Sequence, residues 1–172
     1  MNWKVIVATS WVLGTTALAA QVGQPAPDFK AQGTGGEVSL AGLKGKWVVL
    51  YFYPKSFTPG CTKESCSLRD GHQDLAGLNA VVLGVSIDDL ETQRKFKAEH
   101  KLPFELLADT DKAVSKAYDV LAPMGLFAVR RTFIIDPKGT VAHVFESVSV
   151  TTHADDVKAE LARLRAPKPQ AK

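Results

Sequence analysis

Only two of the 172 residues are cysteines, Cys61 and Cys66, and they stand five positions apart. There is no C-x-x-C pair, which excludes a dithiol reductase built on one. The four histidines, His72, His100, His143 and His153, show no H-x-x-x-H spacing, so no metal site and no cofactor are expected. Asp109 and Asp111 lack the glycine and the distant glutamate of a calcium loop and read as helix caps. Charge of one sign is also scarce. Lys and Arg number 21 against 18 Asp and Glu, a net +3, too small a surplus to call for a nucleic-acid partner. No internal repeat marks off a second domain.

The longest apolar stretch near the start, Val5 to Leu13, is broken by Thr9 and Ser10. That is too short and too interrupted for a membrane-spanning helix. With Lys4 before it and Ala17-Leu18-Ala19 after it, residues 1–20 read as an export signal cut after Ala19 or Ala20. An uncleaved anchor is the disfavoured alternative, and no cysteine follows the small residues to make a lipoprotein. The expected location is periplasmic or secreted, with no stable membrane insertion after cleavage. Residues 21–165 are then a single domain, and 166–172 a basic, Pro-containing tail without structure.

Within that domain, apolar runs at Trp47–Phe52 and Ala80–Ile87 have both faces hydrophobic, as buried central strands do. Periodicity predicts helices over Cys61–Leu78, Leu90–His100, Asp109–Tyr118 and Ala154–Leu164, with Asp88 or Asp89 capping the second. Shorter strands are expected at Glu37–Leu40 and Phe104–Leu107, and a hairpin joins Thr132–Ile135 to Val141–Phe145 through Asp136-Pro137-Lys138-Gly139. Strands alternating with helices, then a hairpin and a last helix, give an α/β class with a mixed sheet flanked by helices. The apolar run Leu121–Phe127 reads either as a loop packed over the site or as an exposed docking patch, with packing preferred.

The chemistry concentrates in Tyr51–Asp70, YFYPKSFTPGCTKESCSLRD. A strand ends, Pro54 breaks it, a turn-rich segment follows, and a helix begins at or near Cys61. A thiol in a first helical turn faces unpaired N–H groups and the positive end of the helix dipole, which favours the thiolate. In an unbroken helix, five residues rise about 7.5 Å and rotate roughly 140°. The two Cα atoms then lie about 8 to 9 Å apart, beyond the ~7 Å reach of a disulfide. A pair that can bond only if the helix opens suits a catalytic cycle better than a permanent staple. Glu64 is expected to pair with Lys63 or another surface cation.

Pro54, Thr58 and Cys61 in P-x-x-x-T-x-x-C, with the later Arg130-Arg131-Thr132-Phe133-Ile134-Ile135-Asp136, resemble the peroxiredoxins. Cys66 five residues after Cys61 is similar to the Q type, or bacterioferritin comigratory protein, of the alkyl hydroperoxide reductase and thiol-specific antioxidant family. The resemblance runs from about Gln24 to Leu164. It implies a thioredoxin-like fold with an N-terminal extension, and a thiol peroxidase acting on hydrogen peroxide and organic hydroperoxides. Cys61 would be the peroxidatic thiol and Cys66 the intramolecular resolving thiol, the two forming a redox disulfide. Arg130 would stabilise the thiolate and the leaving oxygen, with Arg131 the neighbouring alternative on the opposite strand face. Thr58 would hydrogen-bond the peroxide, Pro54 would shape and shield the loop, and the N–H groups of Gly60 and Cys61 would complete the pocket. The implied partners are a hydroperoxide and a thioredoxin-like protein or small thiol as reductant, with the chain a monomer. No cysteine stands near the C-terminus, so the intersubunit disulfide of typical peroxiredoxins is not expected. The competing reading is an exported thioredoxin-fold module that senses or binds through the Cys61–Cys66 pair without turnover.

Overall fold

The computed structural model describes residues 20–167; residues 1–19 of the expected export signal and the end of the tail lie outside the described residues. At its centre is β3, Trp47–Phe52, whose alternating side chains feed two cores. Val49 and Tyr51, with Tyr53 just past the strand, face one of them. Val48, Leu50 and Phe52 face the other. A strand apolar on both faces must be covered on both, and that requirement sets the layering.

β3 pairs in parallel with β4, Ala80–Ser86, and β4 in parallel with β5, Glu105–Ala108. On its other side β3 runs antiparallel to β6, Arg131–Ile135, which forms the expected hairpin with β7, Val141–Phe145. An N-terminal hairpin, β1 (Lys30–Gly33) and β2 (Gly36–Ser39), adds to β5. The sheet has seven strands in the order β2-β1-β5-β4-β3-β6-β7. One face carries α1 (Pro59–Asp70), α2 (His72–Gly77), α3 (Leu90–Glu99) and α5 (His153–Arg165). The opposite face carries the short α4, Ala113–Ala117. This is a mixed sheet flanked by helices, as the sequence predicts.

The helix expected over Asp109–Tyr118 is only Ala113–Ala117, and two further expectations need correction. The helix from Cys61 to Leu78 is two helices, α1 and α2, meeting at Gly71. There α5 comes so close that a Cβ on Gly71 would lie 2.6 Å from the Cβ of Ala154, so only glycine fits. The run Leu121–Phe127 does not pack as a whole. Ala122 is buried, but Met124, Leu126 and Phe127 are 88%, 63% and 43% exposed, because a glycine and a left-handed Met124 turn the segment outward.

Asp89 caps α3 as expected, its carboxylate accepting the Thr92 N–H at 2.8 Å. Asp109 is buried and accepts the N–H groups of Val114 and Ser115 at 3.0 and 2.7 Å, closing the start of α4.

Candidate active site

The turn that leads into α1 is held from below by a buried polar cluster. The Ser56 N–H donates to Asp88 Oδ2 at 2.7 Å, and the same oxygen accepts the Ser86 hydroxyl at 2.8 Å. Tyr53 donates to Gln93, which in turn donates to Ser86 and to the Leu107 carbonyl. Phe57 adopts a left-handed backbone, φ 64°, uncommon for an aromatic residue, and its ring packs edge-on against Phe96. The chain is thereby aimed into the helix at a fixed angle. Pro54 is half-buried and lines a cleft of about 300 Å³ with Lys55, Ile87, Asp88, Leu126 and Phe127.

Thr58 takes the N-cap position of α1 with an extended backbone, and Pro59 follows at the first helical position, where a missing N–H costs nothing. The Thr58 hydroxyl does not cap the helix. It donates to the Lys55 carbonyl at 2.9 Å, which leaves its lone pairs as acceptors. The backbone N–H groups of Gly60 and Cys61 have no acceptor among the described residues. Cys61 thus stands in the first turn, at the positive end of the helix dipole.

Cys61 is 1% exposed. Its Sγ lies 3.3 Å from Nη2 of Arg130, which enters from the residue just before β6. Gly60 leaves room for that approach: a Cβ there would sit 3.3 Å from the same nitrogen, a tight contact. Arg131 points away and binds Glu146 at 2.6 Å and the Asp119 carbonyl. The structure therefore brings Thr58, Gly60, Cys61 and Arg130 to one place and leaves Arg131 out. Cys66 is on the same unbroken helix, half-buried, and both thiols are free.

Glu64 departs from the sequence expectation. It is fully buried and pairs with Nη1 of Arg130, not with Lys63. The signal for this was available, since Cys61, Glu64, Ser65 and Leu68 share one buried helical stripe. Burial pushes the Glu64 carboxyl up to about 7, against the pull of Arg130. His153, at the start of α5, lies with Nε2 3.8 Å from Glu64 Oε1 and 2.9 Å from the Thr132 hydroxyl. Burial lowers its ring to about 4. Nothing in the sequence could have placed His153 here, far along the chain and on a different element. Ser67 Oγ accepts the Ala154 N–H at 3.1 Å and ties the first turn of α5 to α1.

A mixed thioredoxin-like sheet with a buried thiol at a helix start and a guanidinium on its sulfur defines a class of cysteine-based redox proteins. The chain belongs to the AhpC/TSA family, whose model matches residues 22–144. Within it the similarity runs to the Q type. The chain is 43% identical over 143 residues to peroxiredoxin Bcp of Bacillus subtilis, covering 79% of this chain and 91% of that protein. A solved structure of Xanthomonas campestris peroxiredoxin Q matches with a TM-score of 0.77 at 34% identity, over 84% of this chain and 97% of that one. Peroxidoxin BcpB of Mycobacterium tuberculosis matches with a TM-score of 0.78 at 33% identity, over 86% and 99%.

Proposed function

We propose that this protein is a thiol peroxidase in which the Cys61 thiolate attacks a hydroperoxide. The observation that carries the reading is the 3.3 Å contact of Arg130 Nη2 with Cys61 Sγ at the start of α1. A fixed cation beside the sulfur favours the thiolate. The same guanidinium can hydrogen-bond the leaving oxygen as charge develops on it. The Thr58 hydroxyl, its proton committed to Lys55, accepts from the peroxide O–H, and the free N–H groups of Gly60 and Cys61 hold the distal side of the substrate. Pro54 keeps the loop closed over the sulfur.

The sulfur–oxygen bond forms as the O–O bond breaks, giving a sulfenic acid at Cys61 and water or an alcohol. Cys66 then condenses with the sulfenic acid, releasing water and leaving a disulfide. Because both cysteines are on one helix, this step requires α1 to open. A thioredoxin-like dithiol protein or a small thiol returns the two electrons by exchange. Export by residues 1–20 would put this cycle outside the cytosol, where electrons must be delivered across the membrane.

The direct test is consumption of hydrogen peroxide and of an organic hydroperoxide by the purified protein with an excess of dithiol. Steady turnover that disappears in Cys61→Ser is expected. Oxidation by a single equivalent, with no recovery under any dithiol, would favour a redox-sensing module and sink the enzyme reading.

A further inference from the structure

Glu64 has two carboxyl oxygens in the interior, and only one is bonded. Oε2 holds Arg130, whereas Oε1 has no hydrogen-bond partner. An ionised oxygen left bare in a buried site is costly; a protonated one much less so. His153 Nε2 lies 3.8 Å from Oε1. That ring is itself fully buried and held by Thr132. A carboxylate facing an imidazolium would close to a salt bridge. The open gap, with burial raising the acid and lowering the base, fits a neutral carboxyl facing a neutral ring.

Arg130 supplies the other half of the geometry. Its two terminal nitrogens are divided, Nη1 on Glu64 and Nη2 on Cys61. One guanidinium is therefore shared by two acids, and it cannot fully serve two anions at once. The other titratable groups around Glu64 do not change this count. Tyr51, from β3, is held neutral by burial. Asp156 faces His153 from the next turn of α5, and Lys63 on α1 is exposed.

We propose that Glu64 competes with Cys61 for Arg130, holding a proton while the sulfur is a thiolate and releasing it once the sulfur loses its charge. The inference rests on the peroxidase reading for its place in a cycle, and Glu64 and His153 are positioning residues in it. A thiolate, a protonated Glu64 and a hydroperoxide become a sulfenic acid, an ionised Glu64 and an alcohol. The sulfur gives two electrons to the broken O–O bond, and the proton that the alkoxide takes up is matched by the one the carboxyl gives up. Arg130 then moves its electrostatic allegiance from sulfur to carboxylate, which loosens its hold on Cys61 as the sulfenic acid must be handed to Cys66.

The test uses full-length protein carrying Cys66→Ser, so that Cys61 is the one thiol, and it needs no peroxide. The pH dependence of thiolate absorbance and of iodoacetamide alkylation is compared with and without Glu64→Gln. The amide that replaces the carboxyl is not an acid but can still accept from Arg130, so the midpoint of Cys61 ionisation should fall by about one pH unit. An unchanged or higher midpoint would mean that Glu64 only orients Arg130, and would overturn the proposal. Infrared spectra of the Cys66→Ser protein give a readout that does not depend on the second variant. At mildly acidic pH the reduced form should show a protonated-carboxyl band that weakens when Cys61 is alkylated. No such band, or one indifferent to alkylation, also overturns it. A shifted midpoint in a protein without peroxide turnover would remove the peroxidase reading and leave the competition for Arg130 standing.

Discussion

Cys61 and Cys66 lie on one helix, yet their surroundings have little in common. Cys61 is sealed from solvent, in the first turn of the helix, with Arg130 on its sulfur and Glu64 behind the arginine. Cys66 lies roughly 140° around the axis, half-buried, with Arg69 one turn further on. The helix supplies a dipole to both, falling off beyond the first turn. What distinguishes them comes from elsewhere in the chain, from the residue before β6 and the first turn of α5. The environment proposed to activate Cys61 is made by three elements meeting, and by α1 only in part.

The strongest way to break this contrast is to remove the lesser thiol. Cys66→Ser should abolish dithiol-supported turnover while still consuming one equivalent of peroxide, with a sulfenic acid trapped on Cys61 and detectable by mass spectrometry. Normal turnover in that variant would mean that an outside thiol resolves Cys61 directly. Next in size, Arg130→Ala should slow the peroxide step by about 10²–10³-fold in stopped-flow measurements. Arg131→Ala, which breaks only a half-exposed ion pair, should stay within about twofold. A reversed ranking would show that the arginines exchange places in solution.

Hydrogen exchange sharpens the contrast in a third way. If the two thiols can meet only when α1 opens, the amides from Thr62 to Leu68 should lose protection on oxidation. Opening that segment breaks a few hydrogen bonds worth ~1 kcal/mol each. Equal protection in both forms, with the disulfide verified, would count against an opened helix. The smallest expected effect is in stability against pH. Glu64, raised from 4.5 to about 7 by burial, binds more protons folded than unfolded between those values, so its contribution falls as pH rises through them. His153, lowered from 6.5 to about 4, binds fewer protons folded, so its contribution rises with pH up to its unfolded value. The two oppose each other over most of the range. His153→Gln should uncover the Glu64 term as a steeper loss of urea midpoint with rising pH, and parallel profiles would refute that compensation.

Much of the framework was legible in the residues themselves. Trp47–Phe52 and Ala80–Ser86 announce buried strands because both of their faces are apolar, and Pro59 before Cys61 marks a helix start. Thr58, Gly60, Cys61 and Arg130 meet because the strand order carries the end of β3 beside the start of β6. What could not be read were effects set by distant partners. The spacing from Cys61 to Leu68 puts Glu64 on the buried side of the helix, but only the fold shows that its cation is Arg130. Leu121–Phe127 reads as a packed loop until its left-handed turn is seen. That position 71 must be glycine follows from the methyl group of Ala154, on α5.

That contact at Gly71 links the back of α1 to the chemistry at its front. A side chain at position 71 would have to push Ala154 outward, and Ala154 follows His153 directly in the chain. A methyl group there would act as a wedge between two helices, prising the imidazole from Thr132 and widening its gap to Glu64 without altering any group that touches the sulfur. The glycine thus functions as a spacer of zero thickness, and substitutions of increasing bulk at this one position would grade the distance across the buried acid–base pair.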